Sequence, residues 1–310
     1  MIMKNLIFAT TIALTLSACG NSSNEATNTD NSLETSKTAA EVSSTAEETK
    51  PNKPEPGQVH IDFPVINNTV AKAGEYVLAP SRSTLDVAFA EKKDDAIMIF
   101  YRATMVDPGE KESKITEISS EVMMPNSLLI PIKSAQKVKP GDIVLTWWQS
   151  GSGMTRAIVV EGGSETEPKV RYLDIDINTD VETLKPNSFH KLAEPLEPGT
   201  SVAVKADNGR EYLQEFVVKV EGEKVLTSGF ASILYVRNKA DVITLPITPD
   251  VAVGDEAYVP VIGSFRKSIV KAVDASTGMV EVEYDWAGQK STVKVPFGDV
   301  IKALPALGNL

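Results

Sequence analysis

The chain has 310 residues, 42% hydrophobic and 24% charged, with one cysteine, two histidines and a formal net charge of −11. One cysteine excludes an internal disulfide framework and any multi-cysteine zinc or iron–sulfur centre, and two histidines leave little for a histidine-based metal site. The 42 acidic against 31 basic residues do not make the basic footprint that phosphate neutralisation needs, so nucleic acid is not an expected partner.

The first element is a leader. Met1-Ile2-Met3-Lys4-Asn5 carries one cation and an apolar run follows from Leu6 to Leu16, the pattern of a secretory signal peptide and too short for a permanent membrane span. The signal segment is read as residues 1–18. It closes on Leu16-Ser17-Ala18-Cys19, which resembles the lipobox of bacterial lipoproteins. The resemblance implies cleavage between Ala18 and Cys19 and a covalent lipid on Cys19, with no other cofactor. Two or more acyl chains give stable anchoring where one is marginal. Gly20 stands where an aspartate would signal inner-membrane retention, so the implied address is the bacterial envelope, at the outer membrane if the source is Gram-negative.

Residues 19–57 read as a tether. From residue 20 onward they are Ser, Thr, Asn, Glu and Ala with few large apolar side chains, ending on Pro51, Pro54, Pro56 and Gly57. Such a segment cannot bury enough surface to offset its conformational entropy. It would reach roughly 35 Å as a coil and about 130 Å extended.

After Gln58 short β-branched runs alternate with turn residues, and one cassette recurs four times. Its openings are Ala73-Gly74-Glu75-Tyr76-Val77, Pro140-Gly141-Asp142-Ile143-Val144, Pro198-Gly199-Thr200-Ser201-Val202 and Val253-Gly254-Asp255-Glu256-Ala257. Each leads to a second apolar run (Arg102–Val106, Arg156–Val160, Phe216–Val220, Ser268–Val273), a turn, and a further strand, clearest as Lys169–Ile177 and Met279–Trp286. The spacing predicts four antiparallel β units at 58–133, 134–193, 194–248 and 249–310, an all-β chain with no helix beyond about two turns. Units this small are marginal alone, so neighbours are expected to pack on one another, with Leu128–Ile132 and Leu245–Ile247 between them.

The Gly-Asp-x-Val opening, the Arg-Ala-x-Val-Val second strand (Arg156–Val160) and the Val-x-Tyr-x-Asp third strand resemble Tudor, agenet and related SH3-like barrels, best in the second and fourth cassettes. In Tudor-type barrels, aromatic residues can form a cage that holds a cation by cation–π attraction. The resemblance therefore implies a ligand groove lined by Trp147, Trp148, Tyr172, Tyr258, Tyr284 and Trp286. Strand alternation requires one of Trp147 and Trp148 to face outward, and core filling is the competing role for most of the six.

Other constellations are weaker. Asp174, Asp176, Asn178 and Asp180 match the first oxygen positions of a calcium loop, but Thr179 and Lys185 occupy the places of its Gly and Glu. Strand alternation with Leu173, Ile175 and Ile177 inward explains the same pattern. Ser134-Ala135-Gln136-Lys137 and Ser264-Phe265-Arg266-Lys267 match Ser-x-x-Lys without its partner motifs. His60 and His190 lack a neighbouring nucleophile, and Gly151-Ser152-Gly153 reads as a hairpin turn. The expected function is a membrane-anchored, non-enzymatic binding or scaffold module for an envelope protein, peptide or cell-wall fragment. An envelope enzyme or processing factor, or a purely structural lipoprotein, is the alternative.

Overall fold

A tight turn starts each of the four cassettes. Gly74, Gly141, Gly199 and Gly254 have φ of 85°, 90°, 92° and 94°, and the residue after each glycine donates its N–H to the carbonyl three residues back (Lys72, Lys139, Glu197, Ala252). This is a type II turn, which needs positive φ at its third position and accepts proline at its second. The side chain after the glycine then turns back: Glu75, Asp142, Thr200 and Asp255 each accept the backbone N–H that opens their own turn. The glycine N–H bonds into the second strand at Met105, Val159, Val217 and Val270, at 2.8–2.9 Å, and those residues bond back to the carbonyl after the glycine. Four equivalent turns with equivalent bonds are the structural signature of the recurring cassette.

The computed structural model describes residues 55–59, 61–151, 153–177 and 180–307. The signal segment, Ala18 and Cys19, the tether up to residue 54, His60, Ser152, Asn178 and Thr179 lie outside the described residues. Those described are 8% helix and 45% strand, all-β in class.

The first unit contains β1 (Tyr76–Pro80), α1 (Arg82–Glu91), β2 (Phe100–Asp107), β3 (Glu112–Glu117), β4 (Ser120–Pro125) and β5 (Ile130–Pro131). The second has β6 (Ile143–Trp147), β7 (Met154–Val160), β8 (Lys169–Tyr172), β9 (Val181–Thr183) and β10 (His190–Lys191). The third has β11 (Ser201–Lys205), β12 (Tyr212–Glu221), β13 (Lys224–Ser228), β14 (Leu234–Asn238) and β15 (Val242–Thr244). The fourth has β16 (Glu256–Val261), β17 (Ser264–Asp274), β18 (Met279–Trp286) and β19 (Gln289–Pro296), with the Tyr258–Ile301 bridge standing for a fifth strand. Every unit pairs in the spatial order fourth, third, second, first, fifth, all antiparallel. The sheets stay open, because no pairing among the described residues joins the fourth strand of a unit to its fifth.

Two expectations fail locally. A ten-residue helix, α1, fills the long first loop of the first unit and exceeds the two-turn limit. Leu85 and Ala88, spaced three apart, lie fully buried on one face, and Lys92 in the left-handed region closes the helix. In the second unit the third strand stops at Tyr172 rather than Ile177. Residues 173–177 are bends and turns, with Ile175 56% exposed, so inward alternation does not explain that segment.

The units form one body, and the first strands of the first three are buried on both sides. Val77, Leu78 and Ala79, residues 143–147, and Val202, Ala203 and Val204 are buried along both faces of their strands. One apolar cluster contains Leu78, Leu145, Val218 and Val259, one from each unit. Leu128, Leu129, Ile130, Ile132 and Leu245 are buried as well, so the connectors pack between the units. Leu213 of β12 pairs with Ser264 of β17 and merges the third and fourth units into a nine-stranded sheet. The turn at Gly278 packs so closely on the second unit that an added Cβ would lie 2.6 Å from Leu173.

A buried ionic junction ties three units together. Arg156 of β7 donates from Nη2 to Asp299 at 2.8 Å, both side chains 6% exposed, and the Ser201 hydroxyl also donates to Asp299. These residues belong to the second, fourth and third units respectively. The Arg156 guanidinium also sits 5.2 Å from the Phe216 ring centroid.

A second polar tie crosses from the third unit to the first. Lys219 donates its Nζ to the Leu129 carbonyl at 2.6 Å, and burial pulls its pKa down to about 8. Between that value and the unfolded lysine value near 10.4 the unfolded chain binds more protons, so this group makes stability rise with pH across that window. Denaturant titrations from pH 7.5 to 10 are expected to show the rise in the native protein and a flatter profile in Lys219→Met. Equal slopes in the two proteins would show that Lys219 keeps an ordinary pKa.

Candidate functional site

The six aromatic residues of the expected groove do not meet in one place. Trp147 is 2% exposed and Tyr172 is 1% exposed, and they face opposite sides of their sheet. Trp147 joins the cluster shared by all units, whereas Tyr172 fills the second unit's own core. Trp147 packs on Tyr76 of the first unit, ring centroids 5.0 Å apart at 60°, with the Arg102 guanidinium 6.0 Å away. The Tyr172 hydroxyl donates to Glu182 at 2.6 Å and accepts the Gln149 N–H at 2.9 Å. Burial and the adjacent carboxylate push this phenol well above its ordinary pKa. Both residues are structural.

Trp148 points the other way and is 39% exposed, as strand alternation requires. Its ring lies over Gly151, where a Cβ would collide with it. In the fourth unit Tyr258 pairs opposite Lys267 and Tyr284 opposite Ser268. Lys267 and Ser268 are neighbours on one strand, so the two tyrosines lie on opposite faces. Tyr284 packs against the shared core. Trp286 continues the same face beyond it, 46% exposed, with the Arg266 guanidinium 5.7 Å from its ring centroid. Only Trp148 and Trp286 of the six offer substantial contact area, and neither stands in a cage.

The weaker motifs resolve plainly. Asp174 accepts the Asp176 N–H in a local turn, and no group of three or more His, Cys, Asp or Glu among the described residues is placed to hold a metal. Asp180 lies beyond the two undescribed positions. The Ser134 hydroxyl donates to Glu75 at 2.6 Å and Lys137 pairs with Glu165, while Ser264 sits in a β pairing. His190 is buried with Nε2 2.9 Å from Glu197. Burial raises the Glu197 pKa, but the N–H groups of Glu194 and Ala193 and the His190 ring outweigh it and hold the carboxyl below its usual value. This pair fastens the linker to the second unit.

A recess of about 730 Å³ lies in the third unit. Its sides are the end of β11 and the β11–β12 loop, with Lys205, Asp207 and Asn208, and the end of β14 and the turn after it, with Asn238 and Asp241. Val204, Tyr212, Val236 and Ile243 supply its apolar lining. The loop is preorganised: Asn208 accepts the Arg210 N–H, and Asn238 donates to Asp241 at 2.9 Å. Arg237 enters the lining from β14 and is held by Glu215, only 1% exposed, which also accepts the Thr227 hydroxyl. The guanidinium lies 4.6 Å from the Tyr235 ring centroid. Burial would lower the Arg237 pKa, but the Glu215 carboxylate outweighs this and raises it. With Arg237 already neutralised by Glu215, the rim carries Asp207 and Asp241 against Lys205, a small negative excess.

Arg237 and Glu215 come from strands separated in sequence, and neither stands in a recognisable motif. The available signal was a carboxylate inside an apolar strand, Leu213-Gln214-Glu215-Phe216-Val217, which needs a buried partner. No protein-family model matches the chain, and no curated protein matches it.

Proposed function

We propose that the chain is a lipid-anchored, non-enzymatic binding or scaffold module of a bacterial envelope, built from four SH3-like units. The observation that carries this reading is the preorganised groove of the third unit, formed by a first-loop wall and the turn before the fifth strand. The strand order shared by all four units supports the SH3-like reading. An apolar lining under a rim of two carboxylates, two amides and one lysine suits an extended peptide or protein segment bearing apolar side chains and a basic group. Fusion of the units into one body fixes the groove relative to the other surfaces, which suits a scaffold. The lipobox at Leu16–Cys19 supplies the anchor and the acidic tether the stand-off distance.

One experiment tests both parts. A photo-crosslinking residue at Asn208 in the full chain is expected to give discrete adducts in the membrane fraction, while the same residue at the exposed Lys294 of β19 gives none. Cys19→Ser is expected to leave the protein unprocessed or released from membranes. Equal adducts from both positions would remove the groove from the account, and a processed, membrane-bound Cys19→Ser protein would remove the anchor.

A further inference from the structure

A second recess lies between the second and third units, about 320 Å³ in volume. Its apolar lining is Leu145, Met154 and Leu173 from one unit and Phe216 from the other. Its polar side chains are Thr155, Arg156, Ser228, Ser232 and one carboxylate. Arg156 donates from Nη2 to Asp299, and its Nη1 lies against Gly298. Ser228 and Ser232 line the same recess. Ser228 is 7% exposed and Ser232 half-buried. Asp174 stands exposed among the lining residues, one oxygen accepting the Asp176 N–H.

Charge decides what fits. Asp299 already neutralises Arg156, so the recess offers donors without net positive charge. Asp174 is then its one uncompensated ion. We propose that this recess binds an apolar amino-acyl group with a free ammonium, as at the N-terminus of a peptide. The ammonium faces Asp174, the carbonyl accepts from Ser228 and Ser232, and the side chain fills the space between Leu145, Met154, Leu173 and Phe216. Recesses between packed units are common ligand sites. The site is separate from the third-unit groove and does not depend on the lipid anchor.

The test is a titration of the full chain with three small probes, followed by the methyl resonance of Met154. The probes are leucinamide, N-acetyl-leucinamide and N-acetyl-leucine, which carry one positive charge, none and one negative charge. Saturable shifts are expected, with leucinamide tightest by roughly twofold to fivefold over the neutral amide and N-acetyl-leucine weakest. Asp174→Asn is expected to abolish the preference for leucinamide. Ser228→Ala with Ser232→Ala is expected to weaken leucinamide and the neutral amide by roughly threefold to tenfold, with methyl signals remote from the recess unmoved. An unmoved Met154 methyl, tightest binding of N-acetyl-leucine, or an unchanged preference in Asp174→Asn would overturn the proposal.

Discussion

Replacing Arg156 with methionine is expected to destabilise the protein by about 3–5 kcal/mol, because it strands the Asp299 carboxylate in a buried site. In a body of this size that corresponds to a melting temperature lower by roughly 6–20 °C. The effect follows from position rather than from the ion pair alone. Asp299 receives bonds from Arg156 and Ser201, so one carboxylate is shared by three units. Replacing both ends with apolar residues should recover much of the loss, since a buried pair is worth little over well-packed isosteres. The exposed Lys290–Glu283 pair of β18 and β19 provides the contrast, and Lys290→Ala is expected to leave the melting temperature nearly unchanged. Calorimetry of the single and double variants checks this. A small loss in Arg156→Met would mean that the junction does not hold the units together.

Adjacent tryptophans are expected to behave differently. Trp147→Ala should cost about 3–5 kcal/mol, the range for a buried large aromatic, because its ring fills the contact with Tyr76 across two units. Trp148→Ala should cost about 1 kcal/mol or less, as for a side chain facing solvent. Chemical denaturation of the two variants decides the matter. Comparable losses at both positions would contradict the assignment of Trp147 to the inter-unit core.

These positions mark what the sequence makes legible. Four glycines at recurring spacing revealed the four turns, because only a residue free of Cβ strain accepts their positive φ. The second strands and Met279–Trp286 were equally readable from their β-branched runs. Residues 143–147, Ile-Val-Leu-Thr-Trp, are an apolar run broken only by Thr146, close to the pattern of a strand buried on both faces. That run already opposes a surface role for Trp147. Helix α1 was hidden by brevity, since two inward residues over ten do not make a sustained period. The third-unit groove was hidden for a different reason. Glu215 and Arg237 come together only through the β12–β13–β14 pairings, and a pairwise register is not written in either strand alone.

The single-body claim is tested most directly by scanning calorimetry of the full chain. Shared core residues from four units, the Arg156–Asp299–Ser201 junction and the β12–β17 pairing all predict one cooperative transition. Its calorimetric enthalpy should equal the van't Hoff enthalpy. Two or more separable transitions, or a van't Hoff enthalpy well below the calorimetric one, would show that the units fold independently and contradict the account.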